Sequence, residues 1–417
     1  MNVPELRFPA FKLEWKSLQL NDATDFIDSL HETPKQYVDI GYPMIRVADV
    51  NDRGLDLEVC LKVTKEVYEH FTKRYKPQYG DIVFSRVGTC GESVLINFND
   101  EVCLGQNVVL LKPRENYQFL FHYLKSEFIK NQVNEKMVGS SHKTLSLKDA
   151  RRFVVNVPCP EEQSKIANFL TAVDKKITQL TQKHDLLTQY KKGVMQQIFS
   201  HSKERSDCTV SYPRGISQEL RFKDDDGQDF PEWEEATLGD IGKFKSGTGF
   251  PDSEQGGISG IPFYKVSDMN LAENKLEMLV ANNYVSEDQI NKMKYKVIHD
   301  DAVVFAKVGA AIFLERKRKA KNFLIDNNMM AFIPTCQINF IKHFMDSIRL
   351  SKFAQVGALP SYNASDLSII EIAVPCTKEQ TKIANFLTAI DDKLTATQTQ
   401  LQAVKQYKQG LLQQMFV

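Results

Sequence analysis

The chain has 417 residues, 42% of them hydrophobic and 25% charged, a composition that excludes wholesale disorder. At roughly 150 residues per domain this is about three domains' worth of chain. Its 53 basic residues balance 53 acidic ones, which excludes a globally basic nucleic-acid binder but leaves room for local basic patches.

From the N-terminus, Met1–Lys12 carries charges and prolines instead of an apolar core of signal-peptide length. Apolar runs elsewhere are only a few residues long, so no membrane-spanning helix is expected. The seven cysteines are odd in number and hold no Cys-x-x-Cys, which argues against a disulfide framework or zinc ribbon and for a reducing cytoplasm. Glu5-Leu-Arg-Phe8 leads to Trp15. Ile82-Val-Phe-Ser-Arg-Val-Gly88 reads as the end of a strand, and Pro43-Met-Ile-Arg-Val-Ala-Asp49 precedes it, with Lys73-Arg-Tyr-Lys76 between them as a cluster suited to phosphate. Lys136 to Lys143 is a Gly/Ser-rich polar loop able to reach base edges.

Val157–Phe199 then opens with VPCPEEQSKIANFLTAVDKKI and ends near QYKKGVMQQIF. Apolar residues at Ile166, Leu170, Val173, Ile177, Leu180, Leu187, Val194 and Ile198 follow 4-3 spacing, a heptad seam interrupted at His184 and Lys191. A helix of about 40 residues is roughly 60 Å long. Ser200–Gln218 is polar and serine-rich and reads as a linker.

After the linker the pattern starts again. Glu219-Leu-Arg-Phe222 runs to Trp233, the second of two tryptophans. Lys245-Ser-Gly-Thr-Gly249 is a Gly-x-Gly without the third glycine or a strong preceding strand, so it is weak as a nucleotide loop. Pro251-Asp-Ser-Glu254 starts like a nuclease metal motif but lacks the nearby lysine. Pro262-Phe-Tyr-Lys-Val-Ser-Asp268 matches the segment around Arg46, and Val303-Val-Phe-Ala-Lys-Val-Gly309 matches the segment around Arg86. Arg316-Lys-Arg-Lys319 adds a basic run, and Val356–Asn363 is the counterpart of the Gly/Ser-rich loop. Val374–Phe416 repeats the first helix without a gap, VPCTKEQTKIANFLTAIDDKL and QYKQGLLQQMF, with about half of the positions identical. Its seam is interrupted at Thr397 and Lys408, the latter equivalent to Lys191. Those two lysines either set register or snorkel out of the seam. Thr377-Lys-Glu-Gln380 has capping-box spacing, and Pro160 stands where the first helix would start.

Each half is thus a variable module of about 140 residues followed by a near-constant tail of about 43. The tails are expected to pack on each other, antiparallel if a pseudo-twofold axis relates the halves. Catalytic motifs are missing. No Gly-x-x-x-x-Gly-Lys-Ser/Thr and no Asn-Pro-Pro-Tyr-like run occurs, and no two of the eight histidines have metal-ligand spacing. The remaining functional signal is basic. The equivalent pairs Arg46/Lys265 and Arg86/Lys307, with Lys143, Arg316, Lys317 and Arg318, are the candidate DNA-contacting residues.

The motifs PELRFPAF…EW, LRF…DFPEW…LGDIGKFKSGTGFP and the duplicated VPC-x-x-EQ-x-KIANFLTA-[VI]-D cover nearly the whole chain. They resemble the specificity (S) subunit of type I restriction-modification systems. The resemblance implies an α+β fold of two α/β target recognition domains with mainly antiparallel sheets. Each is followed by a long helix, and the two helices pack as an antiparallel coiled coil with pseudo-twofold symmetry. The boundaries expected are 1–156 and 219–373 for the recognition domains, 157–200 and 374–417 for the helices, and 201–218 for the linker. It implies binding to double-stranded DNA at an asymmetric bipartite site, two modification (M) subunits that bind S-adenosylmethionine and methylate adenine N6, and two restriction (R) subunits that add ATP-driven, Mg-dependent cleavage. No cofactor or metal is expected on this chain. The alternatives are a stand-alone DNA methyltransferase or nuclease, which needs motifs not found, and a coiled-coil scaffold binding only proteins.

Overall fold

The computed structural model describes residues 3–51, 54–137, 144–199, 220–355 and 359–417. They form two compact units, Met1–Gln182 with Gln398–Val417, and Lys183–Thr397. The boundary between units falls inside both long helices, so each unit owns one module, the N-terminal half of the helix that follows it, and the C-terminal half of the other helix.

In unit 1, β1 (Lys16–Gln19) leads through α1 (Leu20–Ala23) into β2 (Thr24–Asp28), β3 (Tyr42–Ile45), β4 (Lys62–Val63) and α2 (Lys65–Phe71). Then come β5 (Ile82–Ser85), β6 (Ser93–Leu95), β7 (Cys103–Leu104), β8 (Val108–Pro113), α3 (Tyr117–Leu124), α4 (Glu127–Met137), α5 (Leu147–Arg151), β9 (Val154–Val157) and α6 (Pro160–Phe199). The main sheet is antiparallel, in the order β2-β8-β5-β6. A smaller sheet, β4-β3-β7, contains a parallel pair, and β1 closes on β9. The main sheet is covered on both faces. Ile82, Phe84, Val109 and Leu111 join the helices in one core, while Val83, Val108 and Leu110 join Ile45 and Val50 in another. Burial on both faces explains why these strands read as continuous apolar runs without alternation.

Unit 2 repeats this plan. β10 (Glu234–Thr237) pairs with β18 (Glu371–Val374), and the main antiparallel sheet has the order β11-β17-β14-β15, with β11 at Gly242–Ser246, β14 at Ala302–Ala306, β15 at Lys317–Ala320 and β17 at Met329–Pro334. β12 (Ile261–Tyr264) pairs with β13 (Tyr284–Val285) and, in parallel, with β16 (Leu324–Ile325). The helices are α7 (Glu287–Met293), α8 (Ile338–Ser347), α9 (Ala364–Ser368) and α10 (Thr377–Met415). The Gly-x-Gly at Gly247 does follow a strand, β11, but no helix opens after it. A side chain at Gly247 would collide with the carbonyl of Asp326, so this glycine serves a close backbone approach and not a phosphate cradle.

The constant Glu-Gln of each tail is a junction. Glu162 accepts from Nε and Nη2 of Arg7, each at 2.7 Å, and Glu379 accepts from Nε and Nη2 of Arg221 at 3.0 and 3.1 Å. Both glutamates are almost fully buried, and such bidentate pairs need fixed geometry. Trp233 Nε1 also donates to Glu379. The next residue holds the module helix. Gln163 accepts from the amide of Asn116 and donates to the carbonyl of Pro158, and Gln380 does the same with Gln337 and Pro375. This use of Gln380 replaces the capping box expected at Thr377–Gln380. Thr377 is itself the first helical residue.

Within each unit the two helix halves run antiparallel and share a core. Ile166, Ala167 and Leu170 pack with Leu411, Leu412 and Met415 in unit 1, and Ile383, Ala384, Leu387 and Ile390 pack with Val194, Met195 and Ile198 in unit 2. Lys408 Nζ bonds Asp174 Oδ1 at 2.5 Å, and Lys191 Nζ bonds Asp391 Oδ1 at 2.6 Å. The seam lysines therefore pair across helices. No described helix is long and apolar enough to cross a membrane.

Candidate functional site

The two modules share a constructed end. After β5 the chain turns at Arg86-Val-Gly88, and after β14 at Lys307-Val-Gly309. Arg86 N–H donates to the carbonyl of Asn107 and Lys307 N–H to that of Asn328. The carbonyl of Arg86 accepts from Leu145 and that of Lys307 from Tyr362. Gly88 and Gly309 have φ of 70° and 78°, a region open to glycine without strain. One backbone scaffold is thus used twice, with different side chains hung on it.

At this end the cation leans across the central strand toward the last residue of the far strand. Asp28 lies opposite Val109 in the β2–β8 pair, and Ser246 lies opposite Met330 in the β11–β17 pair. Arg86 Nη2 is 3.5 Å from Asp28 Oδ1, and Lys307 Nζ donates to Ser246 Oγ at 3.2 Å. Arg86 is 8% exposed, whereas the Lys307–Ser246 contact is exposed. Asp28 Oδ2 also faces His31 Nε2 at 3.2 Å. Sequence reasoning missed Asp28 and Ser246, because only strand pairing brings them to Arg86 and Lys307.

Arg46 and Lys265 again occupy one structural position, at the start of a 3-10 turn. The acid three residues on, Asp49 or Asp268, accepts the backbone N–H at 2.9 or 2.7 Å. Arg46 Nε also faces Asp49 at 3.2 Å and its guanidinium lies over Tyr37, while Lys265 Nζ bonds Gln255 at 2.6 Å and lies over Phe250. Both cations are half-buried and internally partnered.

The basic run on β15 divides. Arg316 stands at the surface and donates to Asn270. Arg318 is half-buried, donating to the carbonyls of Asn274 and Lys317 at 2.7 and 2.9 Å. Lys317 points inward at 2% exposure, its ammonium held by Glu315 at 2.8 Å and by the carbonyl of Ile348 at 2.9 Å. Lys317, an expected DNA contact, thus reaches a phosphate only by breaking its buried pair with Glu315. Lys143 lies outside the described residues. Among the described residues, no three His, Cys, Asp or Glu side chains converge as metal ligands would.

The family model of the type I restriction modification DNA specificity domain matches the chain twice, over residues 13–189 and 231–406. The chain belongs to that family. Each match starts just before a tryptophan and takes in a module with much of its helix, the same duplication that the two scaffolds display. Among named relatives, the MjaX type I restriction enzyme specificity subunit of Methanocaldococcus jannaschii is 24% identical, over 96% of this chain and 92% of that protein. The MjaIX specificity subunit of the same organism is 22% identical over 71% of this chain and 67% of its own. The S subunit crystal structure from M. genitalium superposes with a TM-score of 0.60 at 15% identity, covering 100% of this chain and 99% of that one. A chain from a structure of type I R-M complex assembly and conformational transition gives 0.51 at 16% identity, covering 96% and 98%. At such identities the likeness is one of fold. In this specificity-family chain, the duplication keeps the Arg–Glu and Gln junctions in both halves, and the Gly88 and Gly309 ends keep the backbone while the side chains on it differ.

Proposed function

We propose that the chain is the DNA sequence-recognition subunit of a type I restriction-modification complex, and that each module reads one half of an asymmetric, interrupted duplex site. The observation that carries the reading is the Arg86/Lys307 scaffold, built twice with the same backbone bonds and different side chains. Two related modules suit the pseudo-dyad of duplex DNA, as repressor dimers suit operator symmetry. Because their surface chemistry differs, the half-sites differ too. Half-site centres about one helical turn apart, roughly 10 bp, would present both to one face of the duplex.

In this reading the chain is non-catalytic. Two M subunits bind S-adenosylmethionine and methylate one adenine per half-site at N6, on opposite strands. Two R subunits supply ATP- and Mg-dependent restriction. Phosphate contacts give affinity and base contacts give the sequence.

The test compares methylated adenines across the genome of a host with and without the chain, its M partner being present in both. The result expected is an interrupted asymmetric motif that vanishes with the chain. A continuous palindrome would overturn the bipartite reading. Purified chain that transfers labelled methyl groups to DNA unaided would favour the stand-alone methyltransferase. No duplex affinity even with the M partner bound would favour a protein-only scaffold.

A further inference from the structure

We infer that Asp28 and Ser246 are specificity-determining residues: each, with the cation leaning on it, forms the polar face that its module presents to one base pair. The inference rests on the specificity-subunit reading above and adds to it two residues and a locus.

Asp28 and Ser246 end equivalent strands, and Arg86 and Lys307 reach them across equivalent central strands. The position is therefore fixed by the fold, and its chemistry is free to vary. In module 1 the carboxylate and guanidinium set acceptors beside donors with charges that cancel. In module 2 a lysine and a hydroxyl keep a full positive charge and no carboxylate. Major-groove base edges are read by matching donors and acceptors, so these two faces select different base pairs.

The module 1 pair is also unfinished. Asp28 Oδ1 and Arg86 Nε are buried and lack a hydrogen-bond partner among the described residues. A partly buried ion pair with unmet hydrogen bonds is a poor stabilising device, because desolvation cancels much of its attraction. What a base edge would meet is the part of the pair left to solvent, chiefly the Asp28 carboxylate, whose side chain is 26% exposed. The adjoining cavity is lined by Asp28, Ser29 and Arg74 beside the apolar Ile27, Leu30 and Phe71.

The experiment exchanges the faces in the intact chain with its M partner: D28S/R86K in module 1, S246D/K307R in module 2. The readout is the methylated motif across the host genome. D28S/R86K should relax or change one base position of the first half-site, with discrimination there altered by about 5- to 150-fold. The second half-site and the gap should stay as in wild type. S246D/K307R should do the reverse. A merely structural role would lower methylation at every site and leave the motif intact. Should D28S/R86K lower complex stability and methylate nowhere, the S246D/K307R variant, at an exposed serine and a half-buried lysine, decides alone. Wild-type motifs in both variants at full occupancy overturn this inference and leave the subunit reading standing. A wild-type complex that methylates a continuous palindrome overturns both.

Discussion

Lys317 shows how charge and burial trade at single residues. Burial pushes the Glu315 carboxyl up, yet the Lys317 ammonium and Ser351 groups pull it further down, and its pKa is lowered on balance. Its stabilising share is therefore present above the ordinary glutamate value and is lost as pH falls through the lowered folded one. We expect K317M to cost about 3 kcal/mol in denaturant melts, because it strands a partly buried carboxylate, and to leave the methylated motif unchanged. The buried histidines carry a second pH dependence. Burial, then Lys408 and Lys125, pulls His122 down to about 3, and burial, then Lys191, Lys342 and Lys319, does the same to His343. An unfolded histidine takes its proton near pH 6.5, so the unfolded state binds more protons below that value and stability falls on acidification. The melting temperature should drop from pH 7 to pH 5, and H122Q/H343Q should flatten that drop. An unchanged slope would remove these histidines from the account. At this scale the sequence was only partly legible. Arg86 and Lys307 were visible because Val-Gly follows both, but nothing in Arg316-Lys-Arg-Lys319 marks which lysine faces α8.

The long helices were the most legible elements, since the repeat and the heptad spacing are local signals that tertiary contacts only reinforce. What those signals leave open is the pairing of polar seam residues. His122 on α3 and His343 on α8 each face a threonine and an aspartate of the following helix, and the aspartate takes a lysine from the other helix. One cluster thus ties module, own helix and second helix in each unit. The charges also select direction. Antiparallel packing matches Asp174 with Lys408 and Lys191 with Asp391, whereas parallel packing in the repeat's own register would set Lys against Lys and Asp against Asp. We expect K408D to destabilise unit 1 by bringing two carboxylates together, and D174K/K408D to recover most of the loss. A double-mutant cycle should return a coupling of about 1–3 kcal/mol. Coupling near zero would mean that the lysines merely snorkel. The sheets were less legible, because strands buried on both faces lose the alternation that assigns a face, and the parallel pairs β3–β7 and β12–β16 are non-local.

At the scale of the molecule, the helices are shared property. The boundary between units falls after Gln182 in one helix and after Thr397 in the other, so both helices pass from one unit to the other. A longer helix therefore has to be matched in its partner. Seven residues inserted after Leu180 alone would give α6 an extra 10 Å or so that α10 cannot match, and the turns would bulge out to save the cores on either side. Activity should fall while the motif keeps its gap. A matched pair of heptads, after Leu180 and after Thr397, lengthens both helices together and preserves the 4-3 seam and both ion pairs. Under the proposed reading, that variant should methylate the same half-site bases with a gap longer by about 3 bp, at 3.4 Å per base pair. Three base pairs also turn one half-site by nearly a third of a helical turn, so methylation should slow markedly on linear DNA. Methylome sequencing of strains carrying the single and the matched insertions reads bases and gap at once. An unchanged gap in the matched variant, at full activity, would show that the paired helices do not set the spacing.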